Sequence, residues 1–500
     1  MRSKKALLNI LISLLLQVTV VFCGLIVPRL IIKSFGSSTN GLLSSITQFL
    51  GYIVFLEAGV GGVIRAALYK PLADNDIYSI SKIMKASELF FKKVAYFFML
   101  YLIIISVLFP YFTGSYFSGL FTTSLVLITG ISIFSQYYFG ISLQTLIFAD
   151  QKQYVISGLQ IFTLIVNTSL IVLLIKLGTS IHIVKLASTT IFVIRPILLN
   201  IYVNRKYKII KNCIPDNDTI RQRWDGFGHH IAYMVLNSTD IAVITLFSNL
   251  KEVSVYSVYF MVISSVQTLA VTFSSNLEAA FGNIIANDEK ESLRRNFQIF
   301  EFSSFTITTI LFSSTVMLIL PFISLYTAGV TDVNYNRPLF AYILIAALAV
   351  YCIRVPYHAV VLAAGHYKQT RNGALAEAII NIVLSVILVN YLGIVGVAIG
   401  TLCAMLFRTF QYALYLSKNI LKRSIWEFIK RTIIYTIAAI IIITLFNIFP
   451  NSAISSYFDW FLYAIKVTVV TSTITFIVCI SFYYKDFKNL LLIIKRLLSI

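Results

Sequence analysis

The sequence predicts an all-α, polytopic membrane protein of about fourteen transmembrane helices, arranged as two six-helix lobes plus two extra helices. Three observations predict it. Fourteen apolar stretches of roughly 18–27 residues run from Ala6 to Tyr483, separated by polar gaps of at most about thirty residues. Lys and Arg are distributed very unevenly between alternate gaps. The first half of the chain falls on the second at a shift of about 213 residues.

The apolar stretches come first, because the rest depends on them. Crossing a hydrocarbon core takes about 20 helical residues. Lipid offers no partner for backbone N–H and C=O groups, so each stretch must be a helix. The segmentation is 6–32, 41–67, 94–112, 120–148, 154–175, 181–203, 231–247, 255–281, 302–326, 339–361, 373–392, 394–416, 432–449 and 461–483. With 58% hydrophobic residues and a mean hydropathy of +0.86, almost the whole chain is accounted for as membrane. No stretch is left for a soluble catalytic domain.

The basic residues then orient the spans. With the N-terminus inside, the inner segments hold 29 Lys and Arg and the outer loops four, Lys33, Lys176, Lys251 and Arg337. This is a strong positive-inside bias and places both termini in the cytoplasm. The net charge of +20 therefore points to lipid headgroups rather than nucleic acid. Met1–Lys5 and the apolar run behind it read as a first span rather than a signal peptide, since the run is too long and no small-residue cleavage site follows. The five cysteines are scattered with no CxxC spacing, which supports neither a disulfide framework nor a metal site.

The repeat divides the chain. Ala67–Asp76 falls on Ala279–Asp288, Asn167 on Asn381, and Arg195 on Arg408. An even number of spans per repeat gives both halves the same orientation. The expected organisation is a first lobe 1–203, a cytoplasmic linker 204–230 long enough to let two lobes move independently, a second lobe 231–416, and 417–500 as two further helices with a tail. Ser417–Arg431 reads as a short basic amphipathic helix, and Asn489–Ile500 as a tail lying along the inner surface. Short outer loops, about eight residues after span 1 and five after span 5, count against a polysaccharide polymerase or ligase.

Eleven ionisable residues lie within spans: Arg29, Arg65, Lys185, Arg195, Arg354, Arg408, Lys466, Glu57, Asp240, Glu278 and Glu377. A charge at mid-bilayer costs about 2.5–3.5 kcal/mol on insertion scales, so such groups face a cavity or a partner. Lys185, Lys466 and Arg65 lie near span ends, where snorkelling explains them. Arg195, Arg354 and Arg408 lie deeper, some seven or eight residues from the inner end, where a water-filled or anion-holding cavity competes with structural ion pairing. Arg29 follows Pro28, and a helix broken there would make a ligand site. Asp240 is deep and too short to snorkel. Glu57 is deep beside Gly59, Gly61 and Gly62, which permit close packing or a bend. Glu278 and Glu377 lie near the cytoplasmic boundary, where an inner-face salt bridge is the plainer reading.

Several of these residues sit in motifs that resemble a known group. Arg29-x5-Phe35-Gly36, Asn40-Gly41-x-x-Ser44, and Leu56-Glu-Ala-Gly-Val-Gly61 running into Arg65-x-x-Leu-Tyr-Lys-Pro-Leu resemble the start of Wzx-type polysaccharide flippases. Ser238-Thr-Asp240-Ile with Glu252-Val-Ser-Val-Tyr-Ser-Val-Tyr259, and Asn381 with Leu392-Gly-Ile-Val-Gly-Val-Ala398, resemble later spans of that family. It is the polysaccharide transport branch of the multidrug/oligosaccharidyl-lipid/polysaccharide exporter superfamily. Glu57-Ala-Gly stands where many relatives carry Asp-x-Gly.

The resemblance implies a non-enzymatic flippase in a bacterial inner membrane. It would move undecaprenyl-pyrophosphate-linked oligosaccharide to the outer leaflet for capsule, O-antigen or exopolysaccharide synthesis, alongside a polysaccharide polymerase and other assembly proteins. Guanidinium matches pyrophosphate bidentately, so Arg29, Arg195, Arg354, Arg408 and Arg65 are the expected substrate ligands. Asp240, Glu57 and Glu377 are the expected carriers of a coupling Na⁺ or H⁺. No Walker A sequence is present, so an ion gradient or membrane potential would drive transport, with no other cofactor. The competing readings are a multidrug or small-cation exporter and a peptidoglycan-precursor flippase.

Overall fold

A computed structural model describes the chain except for residues 1, 58–59, 114–115, 211, 217–238, 273–280, 283, 286, 288, 449–453 and 499–500. Among the described residues it is all-helical, and thirteen helices are long and apolar enough to cross a membrane. Residues 231–238 of the seventh expected span, 231–247, lie outside the described residues, Asn237 and Ser238 among them; the rest, 239–247, is helical. Glu278 also lies outside them.

Contacts divide the chain into two compact units, Met1–Ser254 and Val255–Ile500. The first begins with α1 (Arg2–Phe35), α2 (Ser37–Gly51), α3 (Val54–Glu57), α4 (Val60–Asp74) and α5 (Ile77–Thr113). It continues with α6 (Gly119–Ser135), a π-helical turn (Gln136–Gly140), α7 (Ile141–Ala149), α8 (Gln153–Lys176) and α9 (Ile181–Lys206). The second comprises most of α10 (Leu250–Thr272), then α11 (Lys290–Tyr326), α12 (Pro338–Ala363), α13 (Tyr367–Leu392), α14 (Ile394–Leu416), α15 (Trp426–Ile448) and α16 (Tyr457–Leu498).

The repeat reappears as helix register. α5 and α11 are each 37 residues long, and their first residues, Ile77 and Lys290, stand at the 213-residue shift. Asn167 lies fourteen residues beyond the start of α8, and Asn381 fourteen beyond the start of α13. Arg195 and Arg408 hold the same position in α9 and α14. Local chemistry at equivalent starts has diverged. At the start of α5 the Ser79 amide donates to Asp76 Oδ1 at 3.0 Å, and the Ser79 bonds hold that carboxyl below its usual range. Its counterpart Glu289 makes no side-chain cap.

Several boundaries differ from the sequence reading, each for a visible reason. The outer loop expected after span 1 is a single residue: Gly36, at φ 84°, turns α1 directly into α2, and only glycine adopts that angle without strain. Pro28 does not break α1, which continues to Phe35. Span 2 is instead interrupted further on, by a turn at Tyr52–Ile53. No separate amphipathic helix covers Ser417–Arg431. α14 continues as a π turn over Ser417–Leu421, Lys422 takes a left-handed φ of 49°, and α15 starts at Trp426. The tail from Asn489 belongs to α16, which bends at Tyr483. The start of the 204–230 segment is fastened to the first unit: Ile210 N bonds Ser81 Oγ at 2.9 Å and Asp216 N bonds Lys82 O at 3.3 Å.

Burial in lipid gives little hydrophobic drive between helices, so close packing and polar pairs do the joining. In the first unit α2 meets the 239–254 stretch in this way. Asn40 Nδ2 bonds Ser254 Oγ at 2.8 Å, and Ser45 Oγ lies 2.7 Å from Thr245 Oγ1. Between them Gly41 lies so close to Leu250 that an added Cβ would overlap the Leu250 carbonyl. Backbone cannot swing aside as a side chain can. Gly41→Ala should therefore lower stability by about 1–3 kcal/mol, read as earlier thermal unfolding in detergent. Gly24→Ala, where nothing crowds the added methyl, is the control.

Candidate functional site

The first unit holds three of the five arginines. Arg29 is half-buried one residue past Pro28 on α1. Arg65 sits on α4 with its guanidinium 4.5 Å from the centre of the Phe148 ring, a cation–π contact to α7. Arg195 is half-buried mid-way along α9, and its Nε is enclosed without a hydrogen-bond partner among the described residues.

Other polar atoms of the first unit are unanswered too. Ser135 Oγ, Ser142 Oγ, Gln144 Nε2, Asn167 Oδ1 and Thr168 Oγ1 are also enclosed with no partner among the described residues. Each such atom costs roughly 1–3 kcal/mol if left dry. Three of them flank the π turn that joins α6 to α7. π turns widen the helix and recur at functional positions. Gly140, its last residue, faces α9: a Cβ there would make ordinary contacts, 3.5 Å from Pro196 and 3.6 Å from Gln144 Nε2. Tyr137, also on the turn, donates its hydroxyl to Glu57 on α3. Asp240 is buried in this unit, within electrostatic reach of Tyr52.

The other named residues are gathered elsewhere. In the second unit Arg354 of α12 pairs directly with Glu377 Oε1 of α13, and Arg408 Nε of α14 stands 3.5 Å from Glu377 Oε2. Arg408 further donates to the Thr370 carbonyl at 2.9 Å, to Gln411 and to the Tyr412 hydroxyl at 2.7 Å. All three charged groups are buried. One carboxylate thus neutralises one of two guanidinium groups and ties α12, α13 and α14 together. Beside it Asn381 Nδ2 bonds Thr401 Oγ1 at 3.0 Å.

A second charge cluster escaped the sequence reading. Glu301, on α11, accepts from Arg423 Nη1 at 2.9 Å and Nη2 at 2.6 Å, and Arg431 Nη1 stands 3.3 Å away. The Tyr357 hydroxyl donates to the same carboxylate, and Arg431 Nη2 reaches Asp486 of α16 at 2.7 Å. Burial disfavours charge on Arg423, but the Glu301 bonds more than offset it and hold that guanidinium above its ordinary range. Glu301 falls one residue outside the apolar window that defined span 9, so it was counted with the loop. The available signal was its setting, Ile299-Phe300-Glu301-Phe302, an acid embedded in apolar neighbours. Among the described residues no group of three or more His, Cys, Asp or Glu side chains could hold a metal.

The arrangement of helices has known counterparts. The chain is similar to a structure described as lipid II flippase MurJ in an inward closed conformation, with a TM-score of 0.68 and 18% identity over 96% of this chain and 99% of that one. It is also similar to an inward-facing multidrug resistance MATE family transporter of the MOP superfamily, with a TM-score of 0.63 and 14% identity over 80% and 95% of the two chains. A MOP superfamily transporter from Pyrococcus furiosus gives 0.56 and 14% over 84% and 95%. At these identities the fold is what is shared. The 96% coverage leaves only about twenty residues unmatched, so most of the residues of α15 and α16 together have counterparts in the first structure. No family model matches the chain, nor does any curated protein sequence.

Proposed function

We propose that the protein is a flippase of the Wzx type, carrying a lipid-linked oligosaccharide pyrophosphate across the bacterial inner membrane by alternating access of its two lobes, with both termini in the cytoplasm. The observation that carries this reading is Arg195, a guanidinium within a membrane-embedded unit with a hydrogen-bonding nitrogen left unanswered among the described residues. A pyrophosphate supplies the acceptors and charge such a group lacks. Arg65 and Arg29, on two other helices of the same unit, are the accompanying cations. Arg354 and Arg408 already spend their bonding capacity on Glu377, Thr370, Gln411 and Tyr412, and serve the second lobe's architecture in this state. The fold shared with a lipid II flippase, most of α15 and α16 included, favours a lipid-linked cargo over a small organic cation.

Arg195→Ala should weaken binding of undecaprenyl-pyrophosphate oligosaccharide by about 10–100-fold, the loss of one or two charge-assisted hydrogen bonds. Arg195→Lys should recover only part, because a point charge lacks the bidentate fork. Binding to protein in detergent is the measurement. Unchanged affinity in the alanine variant would assign Arg195 to snorkelling. Asp240 is the acid proposed to hold a coupling ion in concert with the lobes. Asp240→Asn should stop gradient-driven transport in vesicles while cargo binding persists; transport at the wild-type rate would make Asp240 structural.

A further inference from the structure

We infer that Glu57 and Tyr137 form a proton-binding site in the first lobe, with Glu57 carrying its proton in this state and releasing it when the interrupted second span rearranges. The inference rests on the transport reading above for its use, but its chemistry stands on the geometry alone.

Four observations converge. Glu57 lies on α3, just past the turn at Tyr52–Ile53 that interrupts its span. Among the described residues no Lys, Arg or His nitrogen lies within ion-pair distance of it, whereas Glu377 and Glu301 each face two arginines. One of its oxygens, Oε2, is enclosed with no hydrogen-bond partner among the described residues. Its donor among the described residues, the Tyr137 hydroxyl, is neutral and comes from the π turn.

A carboxylate withdrawn from water without a cation takes up a proton instead of remaining charged. One neutral hydrogen bond does not replace a counter-ion. Tyr137 therefore donates to the carbonyl oxygen of a neutral Glu57 acid, and the proton resides on Oε2. The surrounding groups do not change this. Tyr52, on the turn before α3, and Tyr101, on α5, are neutral phenols, the latter donating to the Phe49 carbonyl at 2.8 Å. Arg65, two turns along α4, lies against Phe148. Asp240 acts on Tyr52. The enclosed oxygens of Ser135 and Ser142 and the amide of Gln144, on either side of the π turn, line the same part of the unit with groups that water would satisfy. Release breaks only the O–H bond of Glu57, and the proton passes to water.

The pair is also specific to the first half of the repeat. At the 213-residue shift, Glu57 corresponds to Ala270 and Tyr137 to Val350. Val350 lies in α12, which runs uninterrupted from Pro338 to Ala363 where the first half has its π turn. The second lobe folds without either group, so the duplicated architecture does not require them.

Infrared difference spectroscopy of the purified full-length protein tests this without any cargo. The wild type should show a protonated-carboxyl stretch at pH 7 that is lost in Glu57→Gln. Tyr137→Phe should move that band to higher frequency, since its carbonyl loses a hydrogen bond; this variant keeps the test decisive if Glu57→Gln folds poorly. Saturating Na⁺ should leave the wild-type band in place. A spectrum unchanged by Glu57→Gln, or a wild-type band abolished by Na⁺, would overturn the assignment, the latter in favour of a metal-cation site. In vesicles an imposed pH gradient should accelerate cargo movement by the wild type, and that acceleration should be lost in Glu57→Gln. If wild-type vesicles move no cargo, the functional reading fails while the infrared result still decides the proton site.

Discussion

Glu301→Ala should destabilise the second unit by about 3–5 kcal/mol, because it strips the shared counter-ion from two buried arginines. Against a typical folding stability of about 5–15 kcal/mol, a loss of that size is visible as a fall in both abundance and unfolding temperature. The consequence should be local before it is global. Glu301 on α11 is the point to which Arg423, before α15, and Arg431, within α15, are both tied. Arg431 passes the connection on to Asp486 of α16. Phe297, Phe305, Tyr357, Phe428, Tyr435 and Cys479 pack around the cluster, so its loss loosens the seam holding the last two helices. Limited proteolysis in detergent should therefore cut between α14 and α15 earlier than elsewhere. Replacing Glu301 and Arg423 together by Met should cost less than the sum of the single replacements, because the second removes a charge the first has stranded. Strictly additive losses would mean that the arginines do not depend on Glu301.

Glu377→Ala should be comparably damaging, again by about 3–5 kcal/mol, but through the core of the second lobe. Without it Arg354 and Arg408 lie buried around an empty position with no anion between them. Arg408 retains Thr370, Gln411 and Tyr412, whereas Arg354 keeps the face of the Tyr351 ring, 4.7 Å away. Arg354 is therefore the group left most exposed to the loss. The measurement is abundance and thermal unfolding of Glu377→Ala and Glu377→Gln beside Asp240→Asn. The geometry predicts that both Glu377 variants unfold early. A Glu377→Gln protein of wild-type stability that has lost transport would return Glu377 to an ion-coupling role.

These outcomes depend on how the sequence and the fold are related. The helical, membrane-spanning class was legible because lipid imposes one requirement on every span, apolar length with internal hydrogen bonding. The repeat was legible too: weak identities such as Asn167 with Asn381 and Arg195 with Arg408 mark equal depth in equivalent helices. Helix ends were less so. Hydropathy records where lipid begins, whereas α5 and α11 continue well beyond their apolar segments as amphipathic helices. The sequence marked neither the turn at Tyr52–Ile53, which comes before Gly59, Gly61 and Gly62, nor the π turn at Gln136–Gly140.

Depth alone could flag an intramembrane charge without naming its partner. Arg354 and Glu377 are 23 residues apart, and Arg423 and Glu301 are 122 apart. Pairing at such separations is decided by which helices become neighbours, and that information is spread over the whole apolar pattern. Arg195 was recognisable as deep in its span; that its Nε has no partner among the described residues required the surrounding helices.

The central claim is that this protein moves a pyrophosphate-linked glycolipid from one leaflet to the other. The most direct test is to reconstitute it in vesicles with a fluorescent undecaprenyl-pyrophosphate oligosaccharide in one leaflet, impose an ion gradient, and follow accessibility to a membrane-impermeant reagent. The account predicts that the label changes leaflet with wild-type protein and remains in place with Arg195→Ala of equal abundance. A label that stays in its leaflet with wild-type protein, while an organic cation is exported from the same vesicles, would contradict it.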